Sequence, residues 1–498
     1  MERREQDDSY GHVLKYTGIF GGVQGLTILV ALLRNKLTAR LLGEAGMGLN
    51  KRFMNIAEVI NAWTNFGISF YAVQKISEIY EEGTDDDLRR FTRVIRTWSV
   101  WSALLAFGIC FFFAAWFNDY YFPSGEHHRP EIMLLALFVA SMPVEAVECA
   151  LLKGLRRLRT VALIEVLSAI STLLFTIPLY FAFGLRGIVF SLVLCGWATA
   201  LIHLYFSVRI YRYRVSLFSM RVIREGWPLI RIGIPYVLAG VAGAMATGEV
   251  FKYLGDDSVV GLYSVGYGLM VTYAGMIFKA VDTDFFPRLS SINHDTRRLN
   301  HAINQQVDVC VLLIAPVLIV FVLFMPWVIR LLYDSRFLPV VPMSVCAVFY
   351  MFFRAVSVPI AYTSLAKGDS WLFLIMECVY DVVFVVLLCL GYAYFGLTGA
   401  GIALSLVALF DLLMISTVYG AYYHVHLRLR TLRLILPQAL LLAVTVGVCL
   451  YLPTLWKYVL GFLCLVLSAA FSWRCLSPEV PVVQRIGQFL RFGNHKHN

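Results

Sequence analysis

Fifteen charged side chains stand inside stretches that are otherwise apolar: Arg34, Lys36, Glu58, Glu145, Glu148, Glu165, Glu249, Lys279, Asp282, Asp284, Asp308, Arg354, Glu377, Asp381 and Asp411. At the centre of a membrane helix each costs about 2.5–3.5 kcal/mol on insertion scales, so such groups face an aqueous cavity or pair with one another. Both signs are present, which a purely hydrophobic cargo would not need. Arg34 and Lys36 lie in LLRNKLTARLLG. A guanidinium fork grips phosphate in two places, so an anion site is one reading. Snorkelling to the headgroups is the other. Lys279, Asp282 and Asp284 lie in IFKAVDTDFFPRLS. Lys279 and Asp282 are three apart on one helix face, so they either neutralise each other or serve a substrate or proton. Glu165 and Glu377 occupy equivalent places in a repeat described below, and a glutamate repeated inside a membrane is either a proton-coupling site or a packing device. Glu58 and Glu249 are lone acids in their stretches, with the same alternatives.

Other chemistries are disfavoured. No metal-ligand spacing joins the histidines: His127 and His128 are adjacent in one loop, and His495 and His497 sit in the tail. There is no Gly-x-x-x-x-Gly-Lys phosphate loop, so ATP is not expected to drive the chain directly. Neither a metal nor another cofactor is expected. The ten cysteines fall mostly within apolar stretches and read as small apolar residues. The net charge of +10 forms no basic stripe on a soluble domain, which argues against nucleic acid.

The elements that position these residues are membrane helices. The chain is 59% hydrophobic and only 15% charged, with a mean hydropathy of +0.72, against about a quarter charged for soluble chains. A span needs about 20 mainly apolar residues. Such stretches predict an all-α polytopic membrane protein with about fourteen helices, near 16–42, 48–78, 94–117, 131–152, 160–183, 186–210, 229–254, 259–287, 303–333, 341–366, 370–394, 397–422, 434–453 and 457–474. Arginine and lysine cluster in every second connection, which places both termini in the cytoplasm. MERREQDDSY has no cleavable-signal pattern, so the first span is expected to stay in place. The basic connection from Tyr211 to Arg231 reads as an interfacial helix over part of its length, and the tail PVVQRIGQFLRF has the same look.

A repeat is legible within the chain. LLGEAGMGL returns as YLGDDSVVGL, FGLRGIVFSL as FGLTGAGIALSL, and LIEVL as LIMECV, each pair about 212 residues apart. Six spans per copy keep both copies in one orientation. This divides the chain into a first six-helix lobe at 1–210, a cytoplasmic linker at 211–231, a second lobe at 232–424, and two extra helices with a tail at 425–498. Two lobes facing a central cleft suit alternating access.

The strings GGVQGLTILVALLRNKLTARLLGEAGMGL, IRIGIPYVLAGVAG, VGLYSVGYGL and FFPRLSSI resemble oligosaccharide flippases of the Wzx type, within the MATE-like multidrug/oligosaccharidyl-lipid/polysaccharide (MOP) superfamily. The resemblance covers roughly the first twelve spans. It implies two six-helix bundles in a V shape, with spans 1, 2, 7 and 8 lining the cavity. It implies as cargo a glycan, such as an O-antigen unit, on undecaprenyl diphosphate, moved across a bacterial inner membrane. A coupling proton or sodium ion and a glycan polymerase machinery are its implied partners. Arg34 matches a cavity arginine of the related lipid II flippases. Where those carry further cavity arginines, this chain has Ile28 and Gly268. That argues for a different glycolipid, whereas the two extra C-terminal spans keep lipid II as an alternative.

Two rivals come from other classes. A MATE-type exporter of cationic drugs predicts an acidic cavity, against which Arg34, Lys36 and Lys279 argue. A membrane glycan polymerase would be an enzyme with a sizeable outer loop, and the outer connections here are short. The substrate-binding candidates are therefore Arg34, Lys36, Glu58, Glu249 and Lys279. The ion-coupling candidates are Asp282, Asp284, Glu165 and Glu377.

Overall fold

Long apolar segments without strand-type alternation fold as helices, and the computed structural model contains helices and no strands among the described residues. It describes residues 2–122, 127–274, 285, 289, 290 and 292–476. Lys279, Asp282, Asp284 and the C-terminal tail lie outside the described residues.

The first compact unit comprises residues 1–261 and 331–334. It contains α1 (Glu2–Thr64), α2 (Ile68–Glu82), α3 (Asp85–Phe112), α4 (Ala114–Tyr121), α5 (Arg129–Gly154), α6 (Leu158–Phe183), α7 (Gly187–Val208) and α8 (Met220–Leu254). The chain leaves this unit along α9 (Asp257–Gly268). The second unit comprises residues 262–330 and 335–498. It holds most of α10 (Thr296–Leu332), then α11 (Val341–Cys346), α12 (Val348–Lys367), α13 (Ser370–Tyr423), α14 (Leu429–Tyr451) and α15 (Thr454–Leu476).

Left-handed residues mark the corners, and they repeat. Gly43 (φ 69°) pairs with Gly255 (φ 75°), Arg156 (φ 55°) with Gly368 (φ 73°), and Gly184 (φ 54°) with Gly396 (φ 59°), each pair 212 positions apart. A positive φ is cheap only without a Cβ. Positive φ therefore recurs at matching places in the two copies, and at Gly184 and Gly396 ψ matches as well (−131° and −144°).

Nine helical stretches among the described residues are long and apolar enough to cross a membrane. Two of them, Arg159–Val208 and Ser370–Tyr423, turn at Gly184 and Gly396, so each supplies two passes. Large apolar side chains point outward along them, including Phe112 at 80%, Phe181 at 81% and Val382 at 63% exposure. Contiguous apolar surface of this kind requires hydrocarbon around it. The protein is a multi-pass membrane protein.

Three details differ from the reading of the sequence. The second span is interrupted: Phe66 and Gly67 are left-handed, and α2 starts afresh at Ile68. The third helix begins at Asp85, well before the apolar run, because Thr84 and Asp87 cap each other reciprocally at its start. Residues 211–219 form no interfacial helix, and α8 runs unbroken from Met220. This connection is strapped to α3. Thr97 Oγ1 accepts from the Ser216 amide at 3.1 Å, and Arg90 donates to Glu225 through both Nε and Nη2.

Candidate functional site

Arg34 sits in the first limb of α1 and is half-buried. Its Nη2 donates to Asn35 Oδ1 at 3.3 Å. It acts electrostatically on Tyr180 of α6 and Cys195 of α7. Around these lies a polar strip within the first unit: Ser191 donates to Tyr180 Oη at 3.1 Å, and Thr176 Oγ1 lies 3.6 Å from Cys195 Sγ. Among the described residues no carboxylate pairs with Arg34. A cation that is half-buried and unneutralised is available to an anion. Lys36 is also half-buried, but two residues of helix turn it about 200° away from Arg34. The two do not converge.

Glu58 and Glu249 share one neighbour within electrostatic reach. Both act on Tyr121, Glu58 from the second limb of α1 and Glu249 from α8. Tyr121 Oη donates to Asn55 Oδ1 at 2.9 Å, and Asn55 Nδ2 donates to the carbonyl of Ala244 at 3.0 Å. The neighbouring Tyr120 donates its hydroxyl to Glu249 Oε1, carries Lys252 Nζ 4.3 Å from its ring centroid, and stacks on Trp116 at 5.2 Å. The exposed Glu249 beside the Tyr120 and Trp116 rings offers an acceptor and aromatic faces of the kind that suit hydroxyl-rich ligands.

Glu165 and Glu377 differ in surroundings. Glu165 is exposed on α6. Glu377 of α13 lies within electrostatic reach of Arg354 and Asp411. Arg354 Nη1 contacts Asp411 Oδ2 at 3.2 Å, and Ser357 donates to the same oxygen at 2.9 Å. The Tyr380 ring lies 5.9 Å from the guanidinium, and Tyr350 Oη is 3.4 Å from Tyr380 Oη. One turn beyond Glu377, Asp381 is 9% exposed and its Oδ2 is buried without a hydrogen-bond partner. The cluster thus sets one cation against three acids inside a membrane-spanning unit.

Two arginines outside the candidate set are among the most buried charges of the described residues. Arg96 of α3 is 0% exposed. It meets Glu148 of α5 through Nε at 2.7 Å and Nη2 at 2.8 Å, and donates to the carbonyls of Tyr211 and Arg212. It fastens the connection that precedes α8. Arg52 of α1 is equally buried and is treated below. Each falls near the start of a span expected from the sequence, 48–78 or 94–117, where a basic residue ordinarily signals a headgroup anchor. His128, expected in a solvated loop, instead packs between Phe53 and Phe122, with ring centroids at 5.8 and 4.6 Å. Among the described residues no group of three or more His, Cys, Asp or Glu could hold a metal ion.

Residues 37–342 match a family described as polysaccharide biosynthesis protein. No curated protein matches the chain. Among solved structures, the fold is similar to the lipid II flippase MurJ in an inward closed conformation, with a TM-score of 0.67 at 13% identity, covering 92% of this chain and 99% of that one. It is also similar to an inward-facing multidrug resistance MATE family transporter of the MOP superfamily, with a TM-score of 0.59 at 15% identity over 80% of this chain and 95% of that one. A MOP superfamily transporter from Pyrococcus furiosus Vc1 gives 0.54 at 14% identity, over 81% and 93%. The chain has the MOP superfamily fold.

Proposed function

The chain belongs to the polysaccharide biosynthesis protein family, and on that premise we propose that it is a flippase for a glycan carried on a polyprenyl diphosphate. Arg34 carries the reading. Crossing hydrocarbon strips a diphosphate of its hydration, and a guanidinium that pairs with no carboxylate among the described residues replaces part of that hydration with charge-assisted hydrogen bonds. Glu58, Glu249, Tyr120 and Trp116 supply acceptors and rings of the kind sugars use. Lys36 and Lys279 are secondary candidates for the same anion.

Transport runs by alternating access, the lobes at 1–210 and 232–424 rocking about the 211–231 linker. Glu377 is the preferred coupling acid, because one arginine cannot neutralise three carboxylates in a low dielectric. A proton or sodium ion supplies the balance. Glu165, Asp282 and Asp284 are the remaining coupling candidates. The protein lies in a bacterial inner membrane with both termini cytoplasmic, works beside a glycan polymerase, and is not itself an enzyme.

A second reading, transport of lipid II, is favoured by α14 and α15, which follow the repeat, and by the 99% coverage of MurJ. One experiment separates the two. Purified protein in proteoliposomes is given a lectin-detectable glycan on undecaprenyl diphosphate, with lipid II as competitor. Flipping of the glycan lipid that lipid II leaves unaffected supports the first reading. Flipping of lipid II alone replaces it with the second, and flipping of neither removes both.

A further inference from the structure

Arg52 is the charge on which three corners of the first unit converge. Its Nη2 donates to the carbonyl of Gly255 at 2.7 Å, and its Nε lies 2.6 Å from Asp257 Oδ1. Its Nη1 donates to the carbonyl of Tyr121, and the Phe122 ring lies 5.5 Å from the guanidinium carbon. Two carbonyls accept from the planar guanidinium while a carboxylate pairs with it, a three-point arrangement that a lysine cannot reproduce.

The contact beside this clamp is backbone on backbone. A Cβ on Gly48 would lie 1.8 Å from the carbonyl oxygen of Asp257, and one on Gly261 would lie 2.0 Å from that of Glu44. Both glycines thus let the start of α9 press against the corner of α1. A cavity of about 740 Å³ opens beside the clamp, lined by Arg52, His127, His128, Asp256 and Asp257 among others. Water there can solvate guanidinium and carboxylate as they part. A pair sealed in a dry core has no such route, because separating it strands two ions in low dielectric. Position in the chain adds to this, since α9 is where the backbone leaves the first unit.

We propose that Arg52 is a releasable clamp on the outer corner. Closed, it holds residues 255–257 against α1. It opens when α9 moves with the second half of the chain, and its ions pass to the water of the cavity. The inference rests on the alternating-access reading.

Leu49 gives the test, because it is 5% exposed and borders the same cavity. Leu49→Cys is labelled with a membrane-impermeant thiol reagent applied outside the cell, alone and combined with Asp257→Asn or Arg52→Lys. Labelling should rise about fivefold or more in both combinations, as the open population grows. A purely structural pin would instead lower the thermal midpoint and leave labelling below that midpoint unchanged, and this result overturns the clamp. Should Arg52→Lys fail to reach the membrane, Asp257→Asn decides, since it keeps the arginine and both carbonyl bonds. Labelling needs no substrate. Faster labelling in a protein that flips no glycan therefore removes the flippase reading and leaves the clamp standing.

Discussion

Glu165 and Glu377 stand 212 residues apart at matching places in the two repeats, and Glu377 has Arg354 within electrostatic reach. Subtracting the repeat offset from Arg354, Asp381 and Asp411 gives Met142, Ala169 and Thr199. At these three positions one copy carries charge and the other is neutral. Glu377→Gln should therefore abolish the response of flipping to an imposed proton or sodium gradient, and Glu165→Gln should leave it intact. Equal effects of the two substitutions on gradient-driven flipping in vesicles would refute the asymmetry.

The Arg354–Asp411 contact predicts a stability effect of a particular pattern. Removing one partner of a buried pair costs about 3–5 kcal/mol, and partial exposure of Arg354 should bring this to about 2 kcal/mol. Asp411→Asn should lower the thermal midpoint of the detergent-solubilised protein. Arg354→Met with Asp411→Leu should recover most of the loss, since no charge is then stranded. A double variant as unstable as the sum of its singles would show that the pair does not act as a unit.

At Arg34, alanine should abolish flipping while lysine retains part of it, with membrane abundance unchanged in both. Lysine keeps the charge and loses the planar fork. A headgroup anchor predicts the opposite pattern, a silent lysine and an alanine variant of low abundance. Transport and abundance measured on the same membranes separate the two, and normal flipping by Arg34→Ala would move the anion site to Lys279.

Ala45 and Asp256 border the cavity beside the Arg52 clamp. Cysteines at these two positions, once crosslinked, should stop flipping, and a reductant should restore it. Full activity in the crosslinked form would show that this corner stays closed throughout transport.

Topology has its own check. A cysteine near Gly125 should react with an impermeant reagent from outside, and one at Arg157 should not. The reverse pattern would invert the assignment of both termini.

The spans were legible because hydrocarbon imposes a simple rule on long segments, and the repeat because its strings recur at a fixed offset of about 212 that positive-φ corners also keep. The shared neighbour of Glu58 and Glu249 was not legible. It depends on Tyr121 standing between α1 and α8, and no local spacing encodes that. Arg52 and Arg96 escaped for a related reason. Their partners lie 69 and 203 residues away for Arg52, and 52, 115 and 116 for Arg96. Each also sits where positive charge is ordinary at a membrane edge. The offset of 212 could have singled out Arg354, Asp381 and Asp411, because charge present in one copy and absent from the other is visible in the letters alone.

The glycine contact between Gly48 and the start of α9 bears on how often a joint can be remade. A joint of interlocking side chains must freeze their rotamers each time it closes, at up to about 2 kcal/mol for each long chain. Bare backbone has no such freedom to surrender. The glycine contact therefore adds no ordering cost of its own at this corner, and leaves the Arg52 side chain as the long chain to be fixed at each closing.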